Sequence, residues 1–426
     1  MNREGAGTRR AATGTLKPVS GAERHGIVDV VRGFALFGVL LANLSMTQRM
    51  AATLEHVAMW PDAGLEELIA SIRNVLVSGK AHTLFAVLFG VGFAIQAERA
   101  TARRAPLAPS YCRRLGYLFL ISIGHTFIWW GDILHIYALT GFLLLAFRRC
   151  RQKTLLIWAV TFAVIPPLLY TAALTLGLYH ISGPFFDPNR AVAMRSALTD
   201  GGFLDVVVSN WVIIRDFIDR GASLMAVAHA LGHFLLGMFL WRTGILQAPS
   251  QHLPVLRKAW RWGLAFGLIG VVLALDRHMH FMPRGRALPV ISALLRVLAV
   301  NGMACFYLAA LVLLFQKPRW RRALSLLGGV GRMALTSYIG HSLFYMVLLY
   351  GLGFGLIGRF GSAVAIPVAI GFFAVQIAFS RWWLQRFRFG PMEWLWRSLS
   401  YQRLQPMCVR AAADAPASPR SEVGSP

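Results

Sequence analysis

The sequence predicts an all-α integral membrane protein with about ten transmembrane helices and both termini in the cytoplasm. Three observations predict it. The chain of 426 residues is 56% apolar and 14% charged, with a mean hydropathy of +0.56, whereas a soluble domain carries roughly a quarter charged residues. Apolar runs recur near 27–44, 82–97, 115–130, 133–147, 154–178, 224–241, 260–275, 288–315, 332–357 and 363–383, and a run of ~20 residues spans a bilayer. β-Barrel alternation is absent, so the spans should be helices, which satisfy their own backbone hydrogen bonds in lipid. Finally, with the N-terminus inside and the side reversed at each span, 30 Lys and Arg fall on the cytoplasmic side and 11 on the opposite side, the positive-inside pattern. The same distribution argues against nucleic acid as a partner. The net charge of +25 is spread in short clusters between apolar runs rather than gathered on one soluble module.

In chain order, residues 1–25 form a flexible basic segment, 26–401 the polytopic membrane domain, and 402–426 an Ala/Pro/Ser-rich tail read as disordered. A cleavable signal peptide is not expected, because the first apolar run starts late and contains Asp29 and Arg32. Cys112, Cys150, Cys305 and Cys408 are not placed to form a disulfide.

The first span reads "IVDVVRGFALFGVLLANLSM" (27–46). Asp29 and Arg32 are three apart and share a face. Asn43 follows Arg32 by eleven residues, almost three full turns, so it points the same way about 16 Å further on. The polar stripe must face protein or a water-filled cavity. Two readings stand: an Asp–Arg pair that fixes helix packing, or an Arg32 that meets an anion entering from the cytoplasm, to which its planar fork is suited. In the second span, "GKAHTLFAVLFGVGF", Gly90 and Gly92 let helices approach closely.

The segment "GHTFIWWGDILHIYAL" (124–139) joins the third and fourth spans. Trp129 and Trp130 suit a membrane interface, and Asp132 suits the cap of the fourth helix. His125 is either a general base with a tuned pKa or a hydrogen-bonded packing residue. The external loop 179–223 contains "GGFLDVVVSNWVIIRDFIDRG", read as a short interfacial helix in the manner of a lid. In the sixth span, His229 and His233 share a face without an accompanying acid, so no metal site is expected. The ninth span, "GRMALTSYIGHSLFYM", crowds Thr336, Ser337, Tyr338, His341 and Ser342 into two turns. Helix–helix hydrogen bonds explain part of this, and His341 is a candidate to line a cavity with Asp29, Arg32 and Asn43. After the last span, "RWWLQRFRFGPMEWLWRSLSY" reads as an interfacial anchor or as a basic surface that helps receive a phosphate-bearing donor.

Together, "VDVVRGFALFGVLLANL", "GKAHTLFAVLFGVGF", "RRLGYLFLISIGHTFIWWGDILHIYAL", "GRMALTSYIGHSLF" and "RFRFGPMEWLWRSLSY" resemble the bacterial YeiB-like membrane proteins over roughly residues 27–401. Their C-terminal region, about 225–401 here, is catalogued as domain of unknown function 418. That family is similar to a larger group of membrane acyltransferases, which includes heparan-alpha-glucosaminide N-acetyltransferase and bacterial O-acyltransferases of surface glycans. The resemblance implies a multi-pass protein of the bacterial cytoplasmic (inner) membrane. It further implies that an acyl group passes from a cytoplasmic acyl-CoA such as acetyl-CoA, as co-substrate rather than tightly bound cofactor, to a glycan, lipid or small-molecule acceptor on the far side. The O-acyltransferases carry an Arg and, eleven positions later, a His on the first span. Arg32 matches the Arg and implies donor binding, but Asn43 stands where the His would be. Another residue must then supply the base: first His125 oriented by Asp132, second His56, because the related N-acetyltransferase has its His beyond the first span. His341 stands where glutamine is commoner in the family. Three function classes remain: an acyltransferase, a small-molecule transporter or exporter whose polar stripe lines an alternating-access path, and a non-catalytic membrane partner.

Overall fold

The structure is a computed structural model that describes residues 25–52, 63–175, 188–219, 221–279 and 288–409. Among the described residues fifteen α-helices follow one another, with no strand beyond one isolated bridge, Phe387 to Cys408. They are α1 (Gly26–Ala52), α2 (Ala63–Leu76), α3 (Lys80–Ala102), α4 (Leu107–Ile128), α5 (Leu134–Phe147), α6 (Gln152–Thr175), α7 (Pro188–Thr199) and α8 (Phe203–Asp219). Then come α9 (Ala222–Arg242), α10 (Leu253–Met279), α11 (Leu288–Phe315), α12 (Pro318–Arg332), α13 (Ala334–Leu349), α14 (Ser362–Arg386) and α15 (Pro391–Tyr401).

This is an all-α membrane protein. Each of the ten apolar runs of the sequence is mainly helical, and seven helical stretches are long and apolar enough to cross a membrane, with α2 and α3 running on as one stretch, Gly64–Ala102. α5 and α13 are shorter, at 14 and 16 residues. The apolar surface is distributed as a bilayer requires. α6 and α10 sit at the periphery and expose Ile157, Leu169 and Trp262, while α1, α3 and α9 contribute the interior.

Helix contacts are close where glycine removes the side chain. A Cβ on Gly90 of α3 would overlap the carbonyl of Phe234 on α9, and one on Gly237 of α9 would overlap the carbonyl of Val87 on α3. The two backbones touch reciprocally, the arrangement small residues permit in membranes. Gly92 differs from the sequence expectation: a Cβ there meets nothing within 4 Å among the described residues, because Gly92 faces a cavity.

One end of the bundle gathers the basic connections. There His25 packs edge-on against Trp241 with ring centroids 4.8 Å apart, and Arg242 donates to the carbonyls of Arg148 and Cys150. α15 lies against the start of α4, where the Arg114 guanidinium sits 4.0 Å from the Trp396 ring centroid and the Trp396 indole donates to the Arg114 carbonyl at 2.8 Å. Residues beyond 401 extend this packing, since Arg388 donates to the carbonyl of Met407 and Val409 to that of Arg386. Residues 407 and 409, in the segment read from composition as a tail, thus pair with the end of α14 and the residues after it, and residues 410–426 lie outside the described residues. At the opposite end lie α7 and α8, and the Asn210 side chain of α8 donates to the Phe127 carbonyl at the end of α4. The single interfacial helix expected in the 179–223 loop is therefore two helices, the second resting on the turn between α4 and α5.

Candidate functional site

The site is built on a broken helix. α12 ends and α13 begins around Met333, whose φ of −106° and ψ of 37° leave the helical region. Such a break leaves carbonyls at one terminus and amides at the other without partners. Both are met by charge of the favourable sign for the helix dipole. At the end of α12, Arg32 donates to the Gly331 carbonyl at 3.3 Å, while it pairs with Asp29 at 2.9 Å. At the start of α13, Glu393 of α15 accepts from the Leu335 amide at 2.5 Å, the Thr336 amide at 3.2 Å and the Thr336 hydroxyl at 2.6 Å. Gly331 makes the Arg32 contact possible, because a Cβ there would overlap the Asp29 carbonyl. The acid of the "GPMEW" segment thereby acts as an N-terminal cap in trans.

A cavity of about 270 Å³ lies between α1, α3, α4, α5, α13 and α15. At the basic end its lining includes Arg32, Arg99, Arg114, Arg332 and Arg397 against the two carboxylates Asp29 and Glu393, an excess of positive charge. Further in, the walls are Phe85, Leu88, Phe89, Leu115, Leu118 and Leu134, and the lining also includes Tyr137 and Tyr338.

Behind Tyr338 stands a chain of three side chains. His125 Nε2 is 2.7 Å from Ser342 Oγ, and His125 Nδ1 is 2.7 Å from Asp132 Oδ1. The second oxygen, Oδ2, accepts from the His135 amide at 3.0 Å and lies 2.9 Å from His135 Nδ1. Asp132 therefore does both jobs open to it in the sequence, holding the first turn of α5 with one oxygen and the imidazole with the other. Burial raises the carboxyl of Asp132, which sits in the turn between helices, but the hydrogen bonds from His125 and His135 outweigh this and hold it at about 2. An ionised Asp132 requires the proton on Nδ1 of His125, which leaves Nε2 to accept from the Ser342 hydroxyl. Ser342, His125 and Asp132 are buried. The Tyr338 ring is 5.1 Å from that of His125, and its hydroxyl accepts from the Ile133 amide at 3.2 Å. One side chain thus links the cavity to the three-residue chain.

Trp129 and Trp130 are buried rather than set at a lipid interface, because α4, α8 and α13 enclose their turn within one apolar cluster. The Trp129 ring lies across Gly131, where a Cβ would collide with it, and packs 5.6 Å from Tyr345.

The sequence-derived site residues are thus distributed as follows. Asp29 and Arg32 line the cavity, and His125 and Asp132 stand together beyond it. Asn43 and His341 are buried but lie outside the lining of this cavity, a correction to the expectation for both. His341 turns toward α14, with Nε2 2.9 Å from Gln376 Oε1. Successive residues of a helix diverge by about 100°, so His341 and Ser342 serve different neighbours. His56 lies outside the described residues. In the sixth apolar run, His233 is held by the His229 carbonyl at 2.8 Å and Asn301 Oδ1 at 2.6 Å. Sequence patterning gives Ser342 no role beyond helix contacts, passes over Arg99, Arg114 and Arg332, and marks Arg397 only as part of a basic segment. Among the described residues, the polar crowding of 336–342 is the one signal that pointed to Ser342.

A family model described as "Protein of unknown function (DUF418)" matches residues 240–403, close to the region read from the C-terminal motifs. The chain is 31% identical to the "Uncharacterized protein YxaH" of Bacillus subtilis (strain 168), over 93% of this chain and 99% of that protein. It is 30% identical to the "Uncharacterized protein YeiB" of Escherichia coli (strain K12), over 90% of this chain and 98% of that protein. An "Uncharacterized 39.9 kDa protein in amylase 3'region" of Bacillus acidopullulyticus is 27% identical over 94% of this chain. No solved structure matches. With a membrane-spanning helical bundle and relatives aligned along nearly their whole length, the chain belongs to the YeiB-like DUF418 family of multi-pass membrane proteins.

Proposed function

We propose that the chain is a bacterial inner-membrane acyltransferase. It accepts an acyl group from an acyl-CoA-type donor entering from the cytoplasm, at the basic end, and delivers it to a glycan, lipid or small-molecule acceptor on the far side. The observation that carries this reading is the continuity from an arginine-lined cavity, through Tyr338, to His125 held between Ser342 and Asp132. Guanidinium groups suit the several phosphates of a coenzyme A donor, and the apolar inner walls suit its arm and acyl group. Acyl transfer to a hydroxyl or amine needs a general base, and His125, whose Nε2 accepts from the Ser342 hydroxyl, meets that need.

The test is acetyl-CoA binding to the purified protein in detergent, comparing wild type with Arg32→Ala of verified folding. A charge-assisted hydrogen bond contributes roughly 1.5–3 kcal/mol, so the variant should bind about 10- to 100-fold more weakly. No saturable binding by folded wild type, across several acyl-CoAs, would remove the acyltransferase reading in favour of transport or a partner role.

A further inference from the structure

We propose that Ser342 is a nucleophile that carries the acyl group as an ester between donor and acceptor, an inference that rests on the acyltransferase reading. The geometry is that of an activated serine: a hydroxyl 2.7 Å from an imidazole nitrogen, whose other nitrogen is 2.7 Å from a carboxylate that a backbone amide holds in place. A serine serving only to tie two membrane helices together needs no such orientation; a backbone carbonyl would suffice.

Position adds a second reason. Ser342 follows Tyr338 by four residues on α13, about 6 Å deeper along the helix. Tyr338 forms part of the cavity wall, so Ser342 is the next group a thioester meets when the tyrosine ring moves aside. The donor phosphates stay with the arginines at the basic end, while the acceptor arrives from the opposite end, where the last turn of α4 carries His125 and the α4–α5 turn carries Asp132. A covalent stop between the two lets the acyl group cross without either large partner crossing. A third observation concerns charge. The Trp129 indole N–H is buried and has no hydrogen-bond partner among the described residues, and its ring is 6.4 Å from that of His125. A buried donor without an acceptor is costly in a folded protein, and an oxyanion at a reacting carbonyl is a group that would satisfy it.

The two half-reactions balance. The Ser342 oxygen bonds to the thioester carbonyl carbon while its proton passes to His125 Nε2. The tetrahedral species collapses, the carbon–sulfur bond breaks, and the thiolate leaves with the proton from His125 as a free thiol. An acceptor hydroxyl or amine then gives its proton to Nε2 and attacks the ester. The Ser342 oxygen leaves and takes that proton back, which restores the starting hydroxyl.

The experiment treats the full chain in detergent with radiolabelled acetyl-CoA and no acceptor, and separately with a fluorophosphonate probe that reacts with activated serines. Peptide mapping after an acid quench locates any adduct. Wild type should carry acetyl and phosphonate groups on Ser342. Ser342→Ala should carry neither while still binding acetyl-CoA, and Ser342→Cys should regain the acetyl group as a thioester. His125→Gln should slow both modifications by about 10²- to 10⁴-fold, the loss of a general base. Acetyl-CoA binding and thiol release by wild type with no adduct by either reagent would overturn the proposal and leave direct transfer. Equal labelling of Ser342→Ala would overturn it as well. Phosphonate on Ser342 without acetyl-CoA binding would support the activated serine and remove the acyl-CoA reading instead. Neither labelling nor binding by folded protein would sink both.

Discussion

Asp132→Asn separates an oriented catalytic histidine from a buried packing residue. The structure dictates how the new amide must sit. Oδ2 of Asp132 accepts from the backbone amide of His135, a donor that cannot be reversed, so the amide oxygen must occupy that place. The NH₂ group then faces His125 Nδ1, replacing an acceptor with a donor. Nδ1 must become the lone-pair nitrogen and Nε2 the N–H, and Nε2 no longer accepts from Ser342. In a serine–histidine–carboxylate arrangement this wrong tautomer lowers turnover by about 10⁴-fold, about 5.5 kcal/mol of barrier. Every buried group keeps a partner in the variant, so it should fold. The assay is acetyl-CoA-dependent thiol release, with fluorophosphonate labelling of Ser342 as a donor-independent check and acetyl-CoA affinity as a control. The expected outcome is a rate loss of that order with unchanged affinity. A folded variant that keeps more than a tenth of the wild-type rate in both assays would refute the reasoning.

Two further predictions concern the scaffold. Glu393→Ala removes the cap on α13, leaving the Leu335 and Thr336 amides and the Thr336 hydroxyl without their acceptor. The loss should be about 1–3 kcal/mol, measured as a lower Tm in detergent, together with slower labelling of Ser342, which α13 carries. The Asp132 carboxyl is lowered from 3.8 to about 2, so its ionised form stabilises the fold. That contribution is complete above pH ~4 and is lost as pH falls through ~2, amounting to roughly 2 kcal/mol. Thermal unfolding between pH 5 and 2 should show this extra acid sensitivity in wild type and not in Asp132→Asn; parallel pH profiles would count against it.

Some of these features are legible in the amino-acid order alone. Composition and the recurrence of long apolar runs determine a helical membrane protein, because lipid offers no partner for an unpaired backbone. Asp29, Arg32, His125 and Asp132 stand out for a related reason: an ionisable residue in or beside an apolar run is costly and therefore conspicuous. Ser342 has no such visibility. A serine in a membrane helix costs little and is common, and its meaning appears only when α13 docks on α4 and brings it to a histidine 217 residues away in sequence. Arg99, Arg114 and Arg332 read as topology signals, and Arg397 as part of a basic segment after the last span, until the helix ends converge on one cavity. Helical spacing set Asn43 in line with Arg32, and both are on α1, but facing the same way along one helix does not decide which neighbour packs there. Packing between distant helices made that choice. It also turned His341 toward α14 while its neighbour Ser342 met His125.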